Sequence, residues 1–127
     1  IGDGDVAAVI AVATGRADLY LGIGGAPEGV LAAAALKTLG GEMMGRLLFK
    51  DEEEKAKASK LNIKDYNKKY LLNDLVSKDA MFCASGVTSG PLLSGVIKNK
   101  NSYQVNSLLL DSSTNRHLKI KQKLPSY

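Results

Sequence analysis

Ten of the chain's thirteen glycines lie within residues 1–49, among ten alanines, and the string Gly22-Ile23-Gly24-Gly25-Ala26-Pro27-Glu28-Gly29 concentrates them. Glycine this dense marks a place where backbone must turn sharply or approach another group closely. The flanks of the string say what it joins. Upstream, Ala17-Asp18-Leu19-Tyr20-Leu21-Gly22 alternates small or polar residues with large apolar ones, which predicts a strand ending at Gly22. Downstream, Pro27 suits the first turn of a helix, where its missing N–H costs nothing, and Glu28 suits the positive end of the helix dipole. The helix is predicted over 27–39. Ala32 to Ala35 make it thin enough to pack close to a sheet, and Gly40-Gly41 end it. A strand, a glycine loop and a helix in that order place the chain in the α/β class.

The remaining pattern fills out one domain over residues 1–127, or part of one, since 127 residues and 13.5 kDa support a single core. Asp5 is positioned to cap an apolar helix over Val6 to Ala13. Met43 to Phe49 reads as a strand. Asp51 to Leu61 reads as a solvated helix, with acids first, lysines later, and Asp51/Lys55 and Glu53/Lys57 four apart. Residues 62–79 are polar, with Tyr70 to Val76 a short strand or turn. Ala80 to Val87 is a further strand candidate before a turn at Thr88-Ser89-Gly90-Pro91. Gly95 to Lys100, Tyr103 to Leu110 and His117 to Leu124 predict an antiparallel section at the sheet edge. The chain opens at Ile1, without Met, directly into Gly2-Asp3-Gly4-Asp5; this resembles the end of a strand whose earlier residues are absent, so a fragment is expected.

Charge excludes more than it assigns. The net +4 divides into −2 for residues 1–49 and +6 for the rest, where lysines are interspersed with acids and lack repeated aromatic neighbours. That is a solvated face, and no nucleic-acid partner is expected. No apolar run reaches the ~20 residues of a spanning helix, so no membrane partner is expected either. A single cysteine, Cys83, forms no internal disulfide and fits a reducing, cytoplasmic setting. Within its apolar run it reads as a buried packing residue. His117 is the only histidine, without acids beside it, and Ser85, Thr88 and Ser89 have no nameable base; no catalytic nucleophile is assigned.

The glycine loop is where chemistry concentrates. Free backbone N–H groups at a helix start suit an anion such as phosphate. Pro27 occupies the third-glycine position of a dinucleotide fingerprint, and the Gly-Lys-Ser/Thr ending of a P-loop is missing. Glu28 repels an anion at close range unless a cation lies between them, so it either complements the helix dipole or ligates a hard divalent ion shared with substrate phosphate. Asp3 and Asp5 have a similar ambiguity: both can accept hydrogen bonds from sugar hydroxyls, while Asp5 can equally serve only as the cap of its helix.

Taken together, Ile1-Gly2-Asp3-Gly4-Asp5-Val6-Ala7-Ala8, Gly22 to Val30 with its alanine-rich helix, Gly45-Arg46-Leu47-Leu48 and Ala84-Ser85-Gly86-Val87-Thr88-Ser89-Gly90 resemble the C-terminal half of class II fructose-1,6-bisphosphatases. The likeness is close over 1–49 and 80–97 and weak over 51–70 and the last 25 or so residues. It implies half of a sugar-phosphatase fold related to the inositol phosphatases: a layered α/β sandwich of mixed sheet and flanking helices with an antiparallel C-terminal section. It also implies a cytoplasmic, homo-oligomeric, gluconeogenic enzyme that hydrolyses the 1-phosphate of fructose 1,6-bisphosphate with Mn²⁺ or Mg²⁺. By the same resemblance Glu28 is a metal ligand, and Asp3, Gly4, Asp5 and Gly25 contact the sugar phosphate. The family's other metal ligands sit in an N-terminal half that nothing in this chain resembles. The chain is therefore expected to hold one wall of the site, to need that half as its partner, and to be inert alone. The rival expectation is a non-enzymatic module that binds a sugar phosphate or nucleotide through the loop.

Overall fold

Apolar residues fill the sequence from Val6 to Ala13, and they form a helix that buries itself against a second one. The computed structural model describes residues 4–126, in which α1 spans Asp5–Ala13 and α2 spans Ala26–Leu39. The cap of α1 differs from expectation. Gly4 takes the cap position in a left-handed conformation, φ 91°, while Asp5 is already helical and makes no capping bond, because its carboxylate is engaged elsewhere. Arg16 ties the far end of α1 down by donating from Nη1 to the Pro91 carbonyl at 2.8 Å.

For α2 the sequence reading holds to within a residue. Pro27 lies in its first turn, and Gly40 closes it at φ 75°, donating its N–H to the Leu36 carbonyl at 2.9 Å. Ala32, Ala33, Ala35 and Leu36 are buried. Where the chain leaves α2, a Cβ on Gly41 would displace the end of the Leu36 side chain and only touch Ala13.

The predicted strand before the loop does not form. Residues 17–25 have no regular secondary structure, and no backbone group of residues 17–24 pairs with another among the described residues. Strand character needs a ladder partner, and alternation cannot supply one.

Two antiparallel sheets follow. In the smaller, β1 (Met44–Arg46) pairs with β2 (Lys69–Leu71), with α3 (Glu52–Lys60) between them in sequence. A single turn, α4 (Leu72–Leu75), follows β2. The larger sheet has β5 (Ser102–Asp111) at its centre. One edge of β5 is shared by β3 (Met81–Ser85) and β4 (Ile97–Asn99), and β6 (Arg116–Pro125) pairs with its other edge along all ten residues. The expected α/β layering is present, and every described ladder runs antiparallel. The section anticipated at a sheet edge is thus the larger sheet itself.

Register sets the core. Phe82 lies opposite Leu110 and Ala84 opposite Leu108, which puts all four on the face that receives Ile10 of α1 and Ala35 of α2. Burying each large side chain there stabilises the fold by roughly 1.5–3 kcal/mol. Met81, Cys83 and Ser85 alternate to the opposite face and are exposed. Cys83 is therefore not the buried packing residue expected, since an apolar run does not say which of its residues point inward. Ser85 shares a 2.7 Å hydrogen bond with Ser107, its cross-strand neighbour. Among the described residues no helix is long and apolar enough to cross a membrane.

Candidate active-site wall at the glycine loop

The loop is short and the start of α2 is fixed by Pro27, so the N-termini of α1 and α2 both meet it. Gly25, at φ −68° and ψ 145°, is the cap of α2, with no side chain bonded to the helix start. Glu28 lies in the first turn, exposed, and makes no hydrogen bond or ion pair among the described residues. Its carboxylate folds back over the loop: a Cβ built on Gly25 would collide with Glu28 Oε2. Gly25 thus leaves the room that the carboxylate occupies.

Asp5 reaches the same stretch from α1. Its Oδ1 accepts a 2.7 Å hydrogen bond from the Tyr20 hydroxyl, and Oδ2 lies where a Cβ of Gly24 would be. A carboxylate accepting from a phenol holds that phenol protonated. Tyr20 is accordingly raised above the usual tyrosine value, first by this hydrogen bond, then by desolvation and by the Asp5 charge. With Oδ1 occupied, Oδ2 remains to accept from a further donor such as a sugar hydroxyl.

The structure therefore sets Asp5 beside Gly24 and Glu28 beside Gly25, on consecutive loop residues. Gly4 is exposed at the head of α1. Asp3 lies outside the described residues. Tyr20 and Gly24 are the members that sequence reasoning missed. Their signal is in the sequence all the same: Tyr20, Gly22 and Gly24 recur every second residue, so one side of the segment carries a hydroxyl and then two positions without side chains.

A hard divalent ion takes six or more oxygen ligands, often from one or two carboxylates together with water and substrate phosphate. Glu28, exposed and unpaired, fits one place in such a shell. Asp5 fits less well, having one oxygen committed to Tyr20. No group of three His, Cys, Asp or Glu able to hold a metal ion is found among the described residues. The clefts of about 390 Å³, beside Phe49 and Tyr66, and about 320 Å³, beside Asn106 and Lys119, are not lined by the glycine loop. The loop is an open wall.

Comparison with known proteins bears on the family and not on the roles of these residues. A family model described as bacterial fructose-1,6-bisphosphatase, glpX-encoded, matches residues 1–123. A fructose-1,6-bisphosphatase class 2 from Haemophilus influenzae is 37% identical, over 95% of this chain and 41% of its own length. A D-fructose 1,6-bisphosphatase class 2/sedoheptulose 1,7-bisphosphatase from Trichodesmium erythraeum is 35% identical over 90% of this chain and 37% of its own. A protein with the same description from Synechococcus elongatus is 34% identical over the same shares. The chain spans about two fifths of the length of these relatives.

Proposed function

Because the chain belongs to the bacterial, glpX-encoded fructose-1,6-bisphosphatase family, we propose that it contributes the substrate-holding wall of a metal-dependent sugar bisphosphatase. The reaction is hydrolysis of the 1-phosphate of fructose 1,6-bisphosphate to fructose 6-phosphate and inorganic phosphate, in a cytoplasmic gluconeogenic setting. The observation that carries this reading is the unpaired Glu28 carboxylate lying over Gly25 at the start of α2.

Each residue has a task that its surroundings allow. Asp5, oriented by Tyr20, accepts a hydroxyl of the sugar through Oδ2, and Asp3 and Gly4 extend that contact. Gly25 lets a phosphate oxygen approach the backbone at the positive end of α2. Glu28 offers its charge to Mn²⁺ or Mg²⁺, which when bound polarises the phosphoryl group and lowers the pKa of attacking water. Without a cation, a phosphate drawn to the helix end would be repelled by the Glu28 carboxylate; a cation between the two reverses that sign.

Glu28→Gln tests the assignment in the protein assembled with the remainder of the family fold. The substitution keeps size and helix propensity and removes the charge. As a dipole partner, Glu28 is worth about 0.3–1 kcal/mol of stability and its loss leaves turnover nearly intact. As a ligand, its loss raises the Mn²⁺ concentration needed and lowers kcat by several orders of magnitude, with the melting temperature in chelator unchanged. Near-normal turnover at ordinary Mn²⁺ would favour the non-enzymatic module, in which the loop binds an anion without a metal.

A further inference from the structure

In the larger sheet, β6 carries its polarity the wrong way round. Phe82, Ala84, Leu108 and Leu110 look toward the helices, and the ladder sets Lys119 opposite Leu108 and Lys121 opposite Asn106, on that same face. Leu118, Ile120 and Leu124 take the outer face, 41%, 43% and 40% exposed. A strand with lysines on the core side and leucines outside is either guarding its edge or serving a ligand.

The surroundings of the two lysines decide between these. A cleft of about 320 Å³ opens beside them, and the turn carrying Leu93 and Ser94 forms its other wall. That turn is braced by its own backbone: the Gly90 N–H donates to the Leu93 carbonyl at 3.0 Å and the Gly95 N–H to Ser89 Oγ at 2.9 Å. A Cβ on Gly86 would strike the Ser94 carbonyl, so glycine there lets the turn close over β5. Within the cleft, Lys119 and Lys121 make no ion pair or side-chain hydrogen bond among the described residues, and Asn106 Nδ2 is buried without a partner. No acid lines it. Residues 80–127 hold six Lys or Arg and a single acid, Asp111, which lies five residues along β5 from Asn106 with its carboxylate spent on Ser113 and Thr114. Edge protection accounts for the lysines and leaves the amide without an acceptor. An anion accounts for both.

We infer that this cleft binds a small organic dianion, its oxyanion head between Lys119 and Lys121 and its carbon body against Leu93 and Ile120. Residues two apart on a strand lie about 6.8 Å from each other, and charge-assisted N–H···O bonds run about 2.7–2.9 Å. One phosphoryl group, or one pair of adjacent carboxylates, therefore reaches both ammonium groups. Two cations with no acid between them favour a dianion over a monoanion. The Asn106 amide adds a donor from below: its nitrogen has no surface open to water, and the flexible Lys121 stem, directly across the ladder, is what the entering anion displaces. The cleft's volume is at the small end of ligand pockets, which limits the occupant to a small molecule. The inference does not rest on the chemistry proposed at the glycine loop.

The test titrates the ¹⁵N-labelled 127-residue chain, at pH 8 in chelator, with phenylphosphonate, phthalate, benzoate and benzylammonium, and follows the Asn106 side-chain amide together with the backbone amides by NMR. The expected result is saturable binding of the two dianions with Kd of about 1 mM or below, moving the resonances of Asn106 and of residues 93–94 and 119–121. Benzoate should bind more weakly and benzylammonium not at all; the ratio of the phenylphosphonate and phthalate Kd values tells a phosphoryl ligand from a dicarboxylate. Lys119→Gln and Lys121→Gln should each weaken binding at least about tenfold, the loss of one charge-assisted hydrogen bond. Asn106→Asp, which keeps the shape and brings its own negative charge, should abolish it. Replacing Lys98 and Lys100 together by Gln, at a lysine pair that does not line the cleft, should leave it unchanged. Shifts that grow without saturation, or an equal loss in the Lys98 and Lys100 variant, would reduce the site to general attraction toward a basic surface and overturn the inference. Shifts at residues 22–28 in place of those at the cleft would put the anion at the glycine loop and overturn it as well.

Discussion

At the scale of single residues, the site turns on which oxygen faces which hydrogen. The sequence marks Asp5 as a helix cap or sugar contact, yet its partner is Tyr20, fifteen residues on, which no local rule connects to it. Glu28 was legible because its place after Pro27 is a local matter; its fold-back over Gly25 was not, since that depends on a missing Cβ. The Tyr20 bond has a pH signature. A phenol whose folded pKa is raised contributes stability that is fully present below the unfolded tyrosine value, near 10, and is lost as pH rises through the folded value. The stability difference between the wild type and Tyr20→Phe should therefore be constant from pH 7 to 9 and shrink above pH 10. The chain's other tyrosines ionise alike in both proteins and cancel. Denaturant unfolding at pH 7, 9, 10.5 and 11.5 checks this, and a difference undiminished at pH 11.5 would show that Tyr20 does not donate to Asp5.

Elements governed by neighbours in sequence were readable; those governed by a distant partner were not. In α3, Asp51 caps by accepting from the Glu54 N–H at 2.9 Å, and Glu53 pairs with Lys57 at 2.8 Å as the spacing predicts. Lys55 pairs with Glu52 at 2.6 Å instead of Asp51, whose carboxylate is spent on the cap. Residues 17–22 carry strand alternation and form no strand, because pairing belongs to a second segment. Thr38 shows the same limit inside a correctly read helix. It is buried in α2 and its hydroxyl has no hydrogen-bond partner, although a helical threonine ordinarily donates to the carbonyl a turn back. An unpaired buried hydroxyl costs about 1–3 kcal/mol. Thr38→Val removes it at nearly constant shape, so the variant should be more stable by about 1 kcal/mol in a denaturant melt. Equal or lower stability would mean that the hydroxyl finds a partner in solution.

At the scale of the whole molecule, the glycine loop, the alanine helix and the antiparallel hairpins were legible as an α/β arrangement, because each is signalled by its own residues. How far the candidate site is complete was legible only by resemblance, and it can now be argued from ligand count. Glu28 offers one free carboxylate and Asp5 half of another, beside the consecutive loop residues Gly25 and Gly24, and among the described residues no third acid joins them. Binding confined to the folded state stabilises it by RT ln(1 + [L]/Kd), about 2.7 kcal/mol at one hundred times Kd. A complete site of roughly 10 µM affinity would thus raise the melting temperature of a chain this size by roughly 10 °C in 1 mM Mn²⁺. One or two exposed carboxylates bind a hard cation far more weakly, in the range of about 10 mM or above, which gives under 0.1 kcal/mol and a shift of well under 1 °C. The 127-residue chain should therefore melt at the same temperature in 1 mM Mn²⁺ and in chelator, and should release no phosphate from fructose 1,6-bisphosphate in either. A rise of several degrees would mean that this chain assembles a full metal shell by itself, and Glu28→Gln would then show whether the shell is built at the loop: abolishing the rise would place it there, and leaving the rise intact would place it elsewhere.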